Sequence, residues 1–381
     1  MARIVVGSYM VRYPLGGMMS WVLQYLVGFQ RLGHEVYFVE KAGYSGACFD
    51  PVRSVMSDDC SYGIGVVGEL LNRHGLGGNW CFVDASQNYM GLSRTRIEEV
   101  IRSADLFIDM GTHGAWLEEA SGSALRVLAD GEPGFTQIKM EKRRAAGETL
   151  PDYDFYYTAG LNVGTAASSS PTAGYPWRGL PHPVVTSLFT ASDSLPHSAA
   201  TTVMNWQSHA PLHFEGRTFG QKDLEFPQFM DLPRLTRVPM EIAVAGKAAP
   251  TARLKERGWR VVSGHQTTIS FDSFATYIRG SLAEFSVCKN VFVALETGWF
   301  SDRAAAYLAS GRPVVQQDTG FSRHLPCGAG LFAVKNVEEA AHALEEINSR
   351  PAYHSKMARA IACEHLEARQ VLGGFLHEFG Y

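Results

Sequence analysis

The sequence predicts an α/β protein made of two Rossmann-like domains that face each other across a central cleft. Three observations carry this. The chain has 381 residues, more than the roughly 250–300 at which a single hydrophobic core stops growing. Its start runs strand, glycine loop, helix, strand, the order of one right-handed βαβ unit. A second α/β pattern follows a stretch between Ala159 and Pro183 that is rich in Gly, Ser, Thr, Ala and Pro.

Arg3 to Gly7 is a short β-branched run, and Met10 to Gly17 is a loop with one proline and two glycines. Met18 to Leu32 has helical spacing through Trp21, Leu23, Tyr25, Leu26 and Phe29, and Gly33 stops it before the strand Val36 to Glu40. Ala104 to Asp109 and Leu125 to Ala129 are further buried strands, each ending in a glycine-bearing loop. The linker falls near 185–200, which gives domains 1–190 and 200–381. In the second, Met240 to Ala245, Trp259 to Val262, Asn290 to Ala294 and Pro313 to Gln316 are predicted strands. Phe274 to Ala283, Ser301 to Ser310, Val337 to Asn348 and Pro351 to Leu366 are predicted helices, and the last helix is free to fold back on the first domain.

Composition excludes several classes. Residues AVILMFWYC make up 46% of the chain and DEKR 19%, far from a disordered or collagenous profile. Thirty-four Lys and Arg against 38 Asp and Glu give a charge of -4, so no broad field awaits a nucleic-acid polymer, and any anion is held locally. Cys48, Cys60, Cys81, Cys288, Cys327 and Cys363 show no CxxC spacing. They read as reduced thiols of a cytoplasmic protein, without zinc or a redox pair. The apolar run at Ile4 to Val6 is too short for a signal peptide, and Tyr13 to Gln30 is too interrupted by Pro14, Gly16, Gly17, Ser20 and Gln24 for a membrane span.

Ligands of open α/β sheets bind beyond the carboxyl ends of strands, where glycines allow close approach and helix amides are free. Four loops qualify. Tyr13 to Gly17, with Gly16 and Gly17, follows the first strand. Asp109-Met110-Gly111-Thr112-His113 follows another, with His113 and Asp109 as candidate catalytic groups, His113 either taking a proton or hydrogen-bonding a sugar hydroxyl. Asp130 to Gln137, with Pro133, Gly134 and Phe135, lines an acceptor side. In the second half, Glu296 to Arg303 is expected to end a strand and open a helix. Gly298, Trp299, Phe300, Ser301 and Asp302 there, with Lys289 before it, form a diphosphate site capped by Ser301 or Asp302. Asp318, Thr319 and Gly320 follow the strand Pro313 to Gln316 and add sugar or phosphate contacts. For each loop a plain turn or cap is the competing reading.

Other patterns carry less. Gly63-Ile64-Gly65-Val66-Val67-Gly68 has dinucleotide spacing, but Asp58 to Tyr62 before it is no strand. Asp152-Tyr153-Asp154 looks like a metal-binding DxD, yet sits inside one α/β half. His209 and His213 are separated by Pro211 and lack a third ligand, so no metal is predicted.

The two-half layout resembles GT-B glycosyltransferases, and several stretches are similar to a bacterial group related to the retaining family four. The matching stretches are Tyr13 to Gly17 with Leu32 to Glu40, Pro133 to Gln137, Gly216-Arg217-Thr218-Phe219-Gly220 with Glu225-Phe226, Glu284 to Val287, and Gly298 to Arg303 running to Leu308 to Val315 and Asp318 to Phe321. The resemblance implies a metal-independent hexosyltransferase of biosynthesis, with a nucleotide-diphosphate sugar as co-substrate rather than a cofactor. It places the donor mainly on the second domain and a small-molecule acceptor mainly on the first; a homodimer stays open. The family-four glutamate pair falls on Gly298 and Ala306 and is missing, with Asp302 the residue to take over a ribose or diphosphate-side role. The histidine that follows the first glycine pair in the related group is replaced by Met18-Met19-Ser20.

Leaving-group charge is then met by Lys289, Lys247, Arg217 and Lys222. The acceptor loops are Gly43 to Tyr62 and Gly160 to Pro183. The aromatics Trp116, Tyr153, Phe155, Tyr156, Tyr157 and Trp177 belong either to an aromatic acceptor pocket or to a core. A sugar-nucleotide epimerase, a nicotinamide oxidoreductase with Glu40 after the second strand, and a non-catalytic nucleotide-binding protein are the alternatives.

Overall fold

A computed structural model describes residues 1–190, 199–246 and 248–381. Strand β1 (Arg3–Gly7) passes through the first loop into α1 (Gly16–Arg31), and β2 (Glu35–Lys41) returns parallel to it with Arg3 opposite Glu35. A hairpin of β3 (Cys48–Asp50) and β4 (Val55–Ser57) precedes α2 (Ser61–Arg73), β5 (Trp80–Val83) and the antiparallel edge strand β6 (Tyr89–Gly91). Helix α3 (Arg94–Arg102), β7 (Leu106–Asp109), β8 (Leu125–Asp130), α4 (Phe135–Ala145), β9 (Phe155–Thr158) and β10 (Trp177–Gly179) complete an eight-stranded sheet.

The second sheet opens with β11 (Ala200–Asn205). The hairpin β12 (Leu212–Phe214) and β13 (Arg217–Phe219) and the single turns α5 (Lys222–Glu225) and α6 (Leu232–Leu235) come before β14 (Met240–Ala245). Helix α7 (Thr251–Glu256), β15 (Arg260–Ser263), α8 (Gly264–Thr267), α9 (Phe271–Gly280) and β16 (Ala283–Ser286) follow. Then come α10 (Asn290–Ala294), α11 (Asp302–Ala309), β17 (Val314–Gln317) and β18 (Leu331–Val334). The helices α12 (Val337–Ser349), α13 (Pro351–Ile361) and α14 (Ala368–His377) come last.

Both sheets share one topology. The parallel strands run β5-β2-β1-β7-β8-β9-β10 in the first and β15-β14-β11-β16-β17-β18 in the second, the same order through the first six. Each is the doubly wound order in which the chain reverses direction beside the first strand, and the crevice at that reversal is where such sheets bind ligands. The crevices lie between β1 and β7 and between β11 and β16. Helix α14 lies on α1: Gly28 leaves room for Leu372, whose Cδ1 would be 2.5 Å from an added Cβ, and Phe375 packs on Phe29 at 6.2 Å.

Three expectations are corrected. Asn290 to Ala294 is a helical turn, because Val291 and Phe292 bury into a cluster with Phe135, Ile138, Phe219 and Trp299 that joins the two halves; the strand is Ala283–Ser286. Gly16 and Gly17 are the first residues of α1, not a loop around a ligand, and an added Cβ on Gly16 would meet the Ser270 carbonyl oxygen at 2.4 Å. Cys48 and Cys60 form a disulfide with Cα atoms 5.3 Å apart. The β3–β4 hairpin turns the chain back so that these two meet, at a separation a search for CxxC does not find. Glycines 63, 65 and 68 lie inside α2, so they bind no dinucleotide as a strand-to-helix turn. Among the described residues no helix is long and apolar enough to cross a membrane.

Candidate active site

A pocket of about 490 Å³ opens at the β1/β7 crevice and is closed from the other side by the second half. Its wall is aromatic. Beyond β1, Tyr9 meets Trp21 of α1 at 6.1 Å; Trp21 meets His182 edge-on at 6.4 Å, and His182 meets Trp299 edge-on at 6.4 Å. Phe135 carries His209 on its face at 4.9 Å, and Met18, Leu128 and Met140 fill the gaps. His113, Asp130, Glu132, Lys139 and Asp302 supply charge and hydrogen bonds. A cavity of about 740 Å³ elsewhere is lined by Thr201, Glu241, Arg260 and Tyr277. It sits toward the amino ends of β11, β14 and β15, the wrong end of the sheet for a ligand crevice.

Asp109 and His113 take different parts. The Asp109 carboxylate is fully buried and accepts from the N–H groups of Thr112 (2.6 Å) and Gly114 (2.8 Å) and from the Tyr153 hydroxyl (2.7 Å). Fully buried and held by those three bonds, Asp109 shapes the loop and does not line the pocket. The two amides flank His113, which is held at φ +54° with its ring at the pocket rim. A non-glycine residue fixed there by its neighbours is the kind of strain that marks functional loops. Asp130 is equally enclosed, by the Glu132 amide, Thr136, Gln137 and Thr158. Burial pushes its carboxyl above the usual range against those four bonds.

Pro133 and Gly134 pack against the second half, where an added Cβ on Gly134 would lie 2.8 Å from Leu295, while Phe135 lines the pocket. Glu132 crosses the junction to Lys289, whose Nζ lies 2.5 Å from both carboxylate oxygens. A loop of the first half fastens the rest. The Asn162 amide nitrogen donates to Thr297 (3.0 Å), its side-chain nitrogen donates to the Glu296 carbonyl (2.9 Å), and its side-chain oxygen meets His324 Nε2 at 2.8 Å.

Asn162 explains two glycines assigned to the donor. Gly298 (φ +75°) and Gly320 (φ +91°) both face it, and an added Cβ would lie 2.8 Å and 2.5 Å from its side chain. Their backbone freedom serves the junction between the halves. Gly298→Ala is expected to lower unfolding stability by about 2 kcal/mol, from the left-handed backbone and the lost Asn162 contact together, as read by urea denaturation.

The second crevice gathers cations. Lys222 is 8% exposed, and the charges of Arg303 and Lys289 oppose its own while Cys288 and Glu284 favour it. Burial and the two cations bring its ammonium down to about 7. Arg303 donates to Glu284 (2.5 Å) and to the Ser286 hydroxyl (2.7 Å) at the carboxyl end of β16. Trp299 and Asp302 reach the pocket. Ser301 takes the N-cap position of α11 without a side-chain cap bond, and Phe300 packs on Phe321 at 5.1 Å. Thr319 donates to the Trp299 carbonyl (2.6 Å), and Asp318 accepts from the Gly320 amide (2.8 Å) and the Ser322 hydroxyl (2.8 Å), so both brace the loop. Arg217 is exposed on its hairpin over the Phe219 ring. Lys247 lies outside the described residues.

The aromatics Trp116, Tyr153, Phe155, Tyr156, Tyr157 and Trp177 turn out to be packed in the first half's interior or against its last helix, not in the pocket. Arg126 pairs with Asp154 at 3.0 Å, which accounts for that DxD acid. The pocket uses Tyr9, Trp21 and His182 instead. Helical spacing marked Trp21 as buried, but nothing local tells a core face from a pocket wall.

No family model and no curated protein matches the chain. Solved structures do match in shape. HepE of Anabaena, in complex with UDP and glucose, superposes with a TM-score of 0.59 over 100% of both chains at 11% identity. An α-glucosyltransferase in complex with UDP gives 0.60 over 100% of both chains at 11% identity. AviGT4, a glycosyltransferase involved in avilamycin A biosynthesis, gives 0.57 over 100% of this chain and 97% of its own at 10% identity. The chain has the two-domain GT-B fold of these glycosyltransferases.

Proposed function

We propose that the protein transfers a hexose from a nucleoside-diphosphate sugar to a small-molecule acceptor bound in the aromatic pocket, without a metal, in the manner of the family-four relatives that its motifs resemble. The observation that carries this is the convergence of Lys222, Arg303 and Lys289 at the second crevice, next to a pocket at the first. Lys289 and Arg303 pair with Glu132 and Glu284, and Lys222 is the remaining cation, which a departing diphosphate meets as its charge develops. Trp299 and Asp302 stand between the two crevices, where the sugar belongs. His113 hydrogen-bonds an acceptor hydroxyl at the rim, with Asp109 setting its backbone.

The missing glutamates have a physical counterpart. Gly298 is occupied with Asn162, and Ala306 is 1% exposed in the core, so neither position presents a carboxylate to the sugar. Asp302 is the carboxylate that does.

Thermal unfolding against a panel of nucleoside diphosphates tests the donor site. UDP comes first, because two of the similar structures hold it. A ligand at about a hundred times its Kd is expected to add about 2.7 kcal/mol of stability, and no response to any member of the panel overturns the assignment. Nucleotide release that requires a second substrate separates transfer from epimerisation.

A further inference from the structure

We propose that the acceptor is an aromatic acid, with its ring laid in the aromatic pocket and its carboxylate held at the mouth between Lys139 and His209. This rests on the transfer reading above and narrows the acceptor class. Helix α4 sends Phe135, Lys139 and Arg143 toward the pocket, spaced four apart and so stacked on one face. The Lys139 Nζ lies 4.5 Å from the centre of the Phe135 ring, and the centre of the His209 ring lies 4.9 Å from the same point. His209 belongs to the loop between β11 and β12, so the mouth is completed by both halves.

The charges at the mouth do not cancel. Arg143 is paired with Glu148 at 2.7 Å, and both carboxylate oxygens of Glu132 lie 2.5 Å from Lys289. Lys139 rests on the Phe135 ring and makes no ion pair among the described residues. Partial burial lowers its ammonium from the ordinary lysine value, and Glu132, the carboxylate that acts against this, is already bonded to Lys289. Asp130 is enclosed by its own hydrogen bonds, and neither it nor Asp302 acts on Lys139. The His209 imidazole is lowered too, by burial first and then by Lys289, Lys139 and His113, with Glu132 opposing. Groups that repel one another's charge therefore converge where the chain supplies no free carboxylate of its own.

An acceptor carboxylate fills that place. It takes a charge-assisted hydrogen bond from the Lys139 ammonium and a second bond from a His209 ring N–H. One carboxylate brings one charge to one unpaired ammonium, whereas a phosphate monoester brings nearly two. Behind it, Tyr9, Trp21, Phe135 and Trp299 give a flat ring apolar faces to lie against. His113, on the same rim, stays with the acceptor hydroxyl.

The probes are benzoate and its neutral counterpart benzamide, with affinities read by NMR titration of the full chain. Benzoate is expected to bind about tenfold tighter than benzamide, the lower part of what a charge-assisted hydrogen bond contributes. Lys139→Met keeps the stem on Phe135 and is expected to bring the two probes to equal affinity while benzamide binds as before, which a misfolded chain does not do. Lys255→Met, exposed on α7, makes the same change in net charge and is expected to keep the preference. In the wild-type chain the His209 pKa is expected to rise when benzoate binds and to stay in place with benzamide; the charged and titratable groups around it are Lys139, Lys289, Glu132 and His113, with Arg143 further along α4. Equal affinities in the wild-type chain, a preference that survives Lys139→Met or is lost equally in Lys255→Met, or a His209 that benzoate does not move each overturns the proposal. Phenyl phosphate binding tighter than benzoate overturns the choice of a carboxylate. If neither benzoate nor benzamide binds, the aromatic pocket is not the acceptor's and the proposal falls with it. A chain that binds no nucleoside diphosphate overturns the transfer reading instead, and the ratio of the two probes still decides whether the mouth holds a carboxylate.

Discussion

Lys222→Met is expected to weaken nucleoside-diphosphate binding about a hundredfold, the upper part of what a charge-assisted hydrogen bond to phosphate contributes. Methionine keeps the buried stem and removes only the charge, so the fold is retained. The wild-type protein carries a second signature. The free ammonium titrates at about 7 because burial, Arg303 and Lys289 oppose its charge. A bound diphosphate reverses that and raises the pKa, so binding takes up a proton when it occurs above pH 7. Affinity is therefore full below pH 7 and falls about tenfold per pH unit above it, until the pKa of the complex is reached. Calorimetry in buffers of different ionisation enthalpy reads the proton uptake, and the slope disappears in Lys222→Met. For the apo protein the sign is opposite. A folded pKa below the unfolded one means that the folded state binds fewer protons between pH 7 and the ordinary lysine range, so Lys222's contribution to stability grows as pH rises through that window. Arg217→Met, exposed on its hairpin, is expected to change nucleotide affinity several-fold at most.

Glu284→Ala is expected to cost about 3–5 kcal/mol of unfolding stability, the penalty for leaving a buried cation unpaired. Glu284 is fully buried on β16, the strand between β11 and β17, and Arg303 is its partner, with 13% of the arginine side chain exposed. Burial pushes the Glu284 carboxyl up while Arg303 holds it down, so the pair persists only as a pair. Replacing both, as Glu284→Leu with Arg303→Leu, is expected to recover most of the stability because neither charge is then stranded. Donor binding is not recovered in the double variant, since Arg303 is also one of the three cations. Urea unfolding and nucleotide binding measured on the same three proteins separate the two roles. If the double variant binds nucleotide like wild type, Arg303 is structural only.

Much of the fold was legible because the relevant forces are local. Met240 to Ala245 was readable to the residue, since a short apolar run bounded by proline and glycine has few other solutions. Asn290 to Ala294 was misread for the same reason: Val291, Phe292 and Val293 favour a strand, but burial against Phe135 and Trp299 from both halves selects a helical turn. In the site, the loops after β7, β8 and β17 lie at strand ends as expected, whereas Glu296 to Arg303 joins α10 to α11. Gly298 and Gly320 looked like ligand glycines because a left-handed glycine serves a ligand and a protein neighbour alike. Only the position of Asn162, more than a hundred residues away in sequence, shows which one is present. Lys222 and Lys289 were named as cations, but not that one is enclosed by like charge and the other is paired with Glu132.

The sequence by itself determined two α/β halves, glycine-bearing loops at the carboxyl ends of β7, β8 and β17, and a composition without a broad positive charge. These follow from periodicity, glycine placement and composition, each a property of nearby residues. Tertiary structure decided which residues face the pocket. Tyr9, Trp21, His182 and Trp299 come from four separate stretches and become one wall only when the halves close, and Glu132 meets Lys289 only across that junction. Burial, pairing and the pKa of Lys222 depend on what surrounds a group in three dimensions, and no window of sequence contains those neighbours.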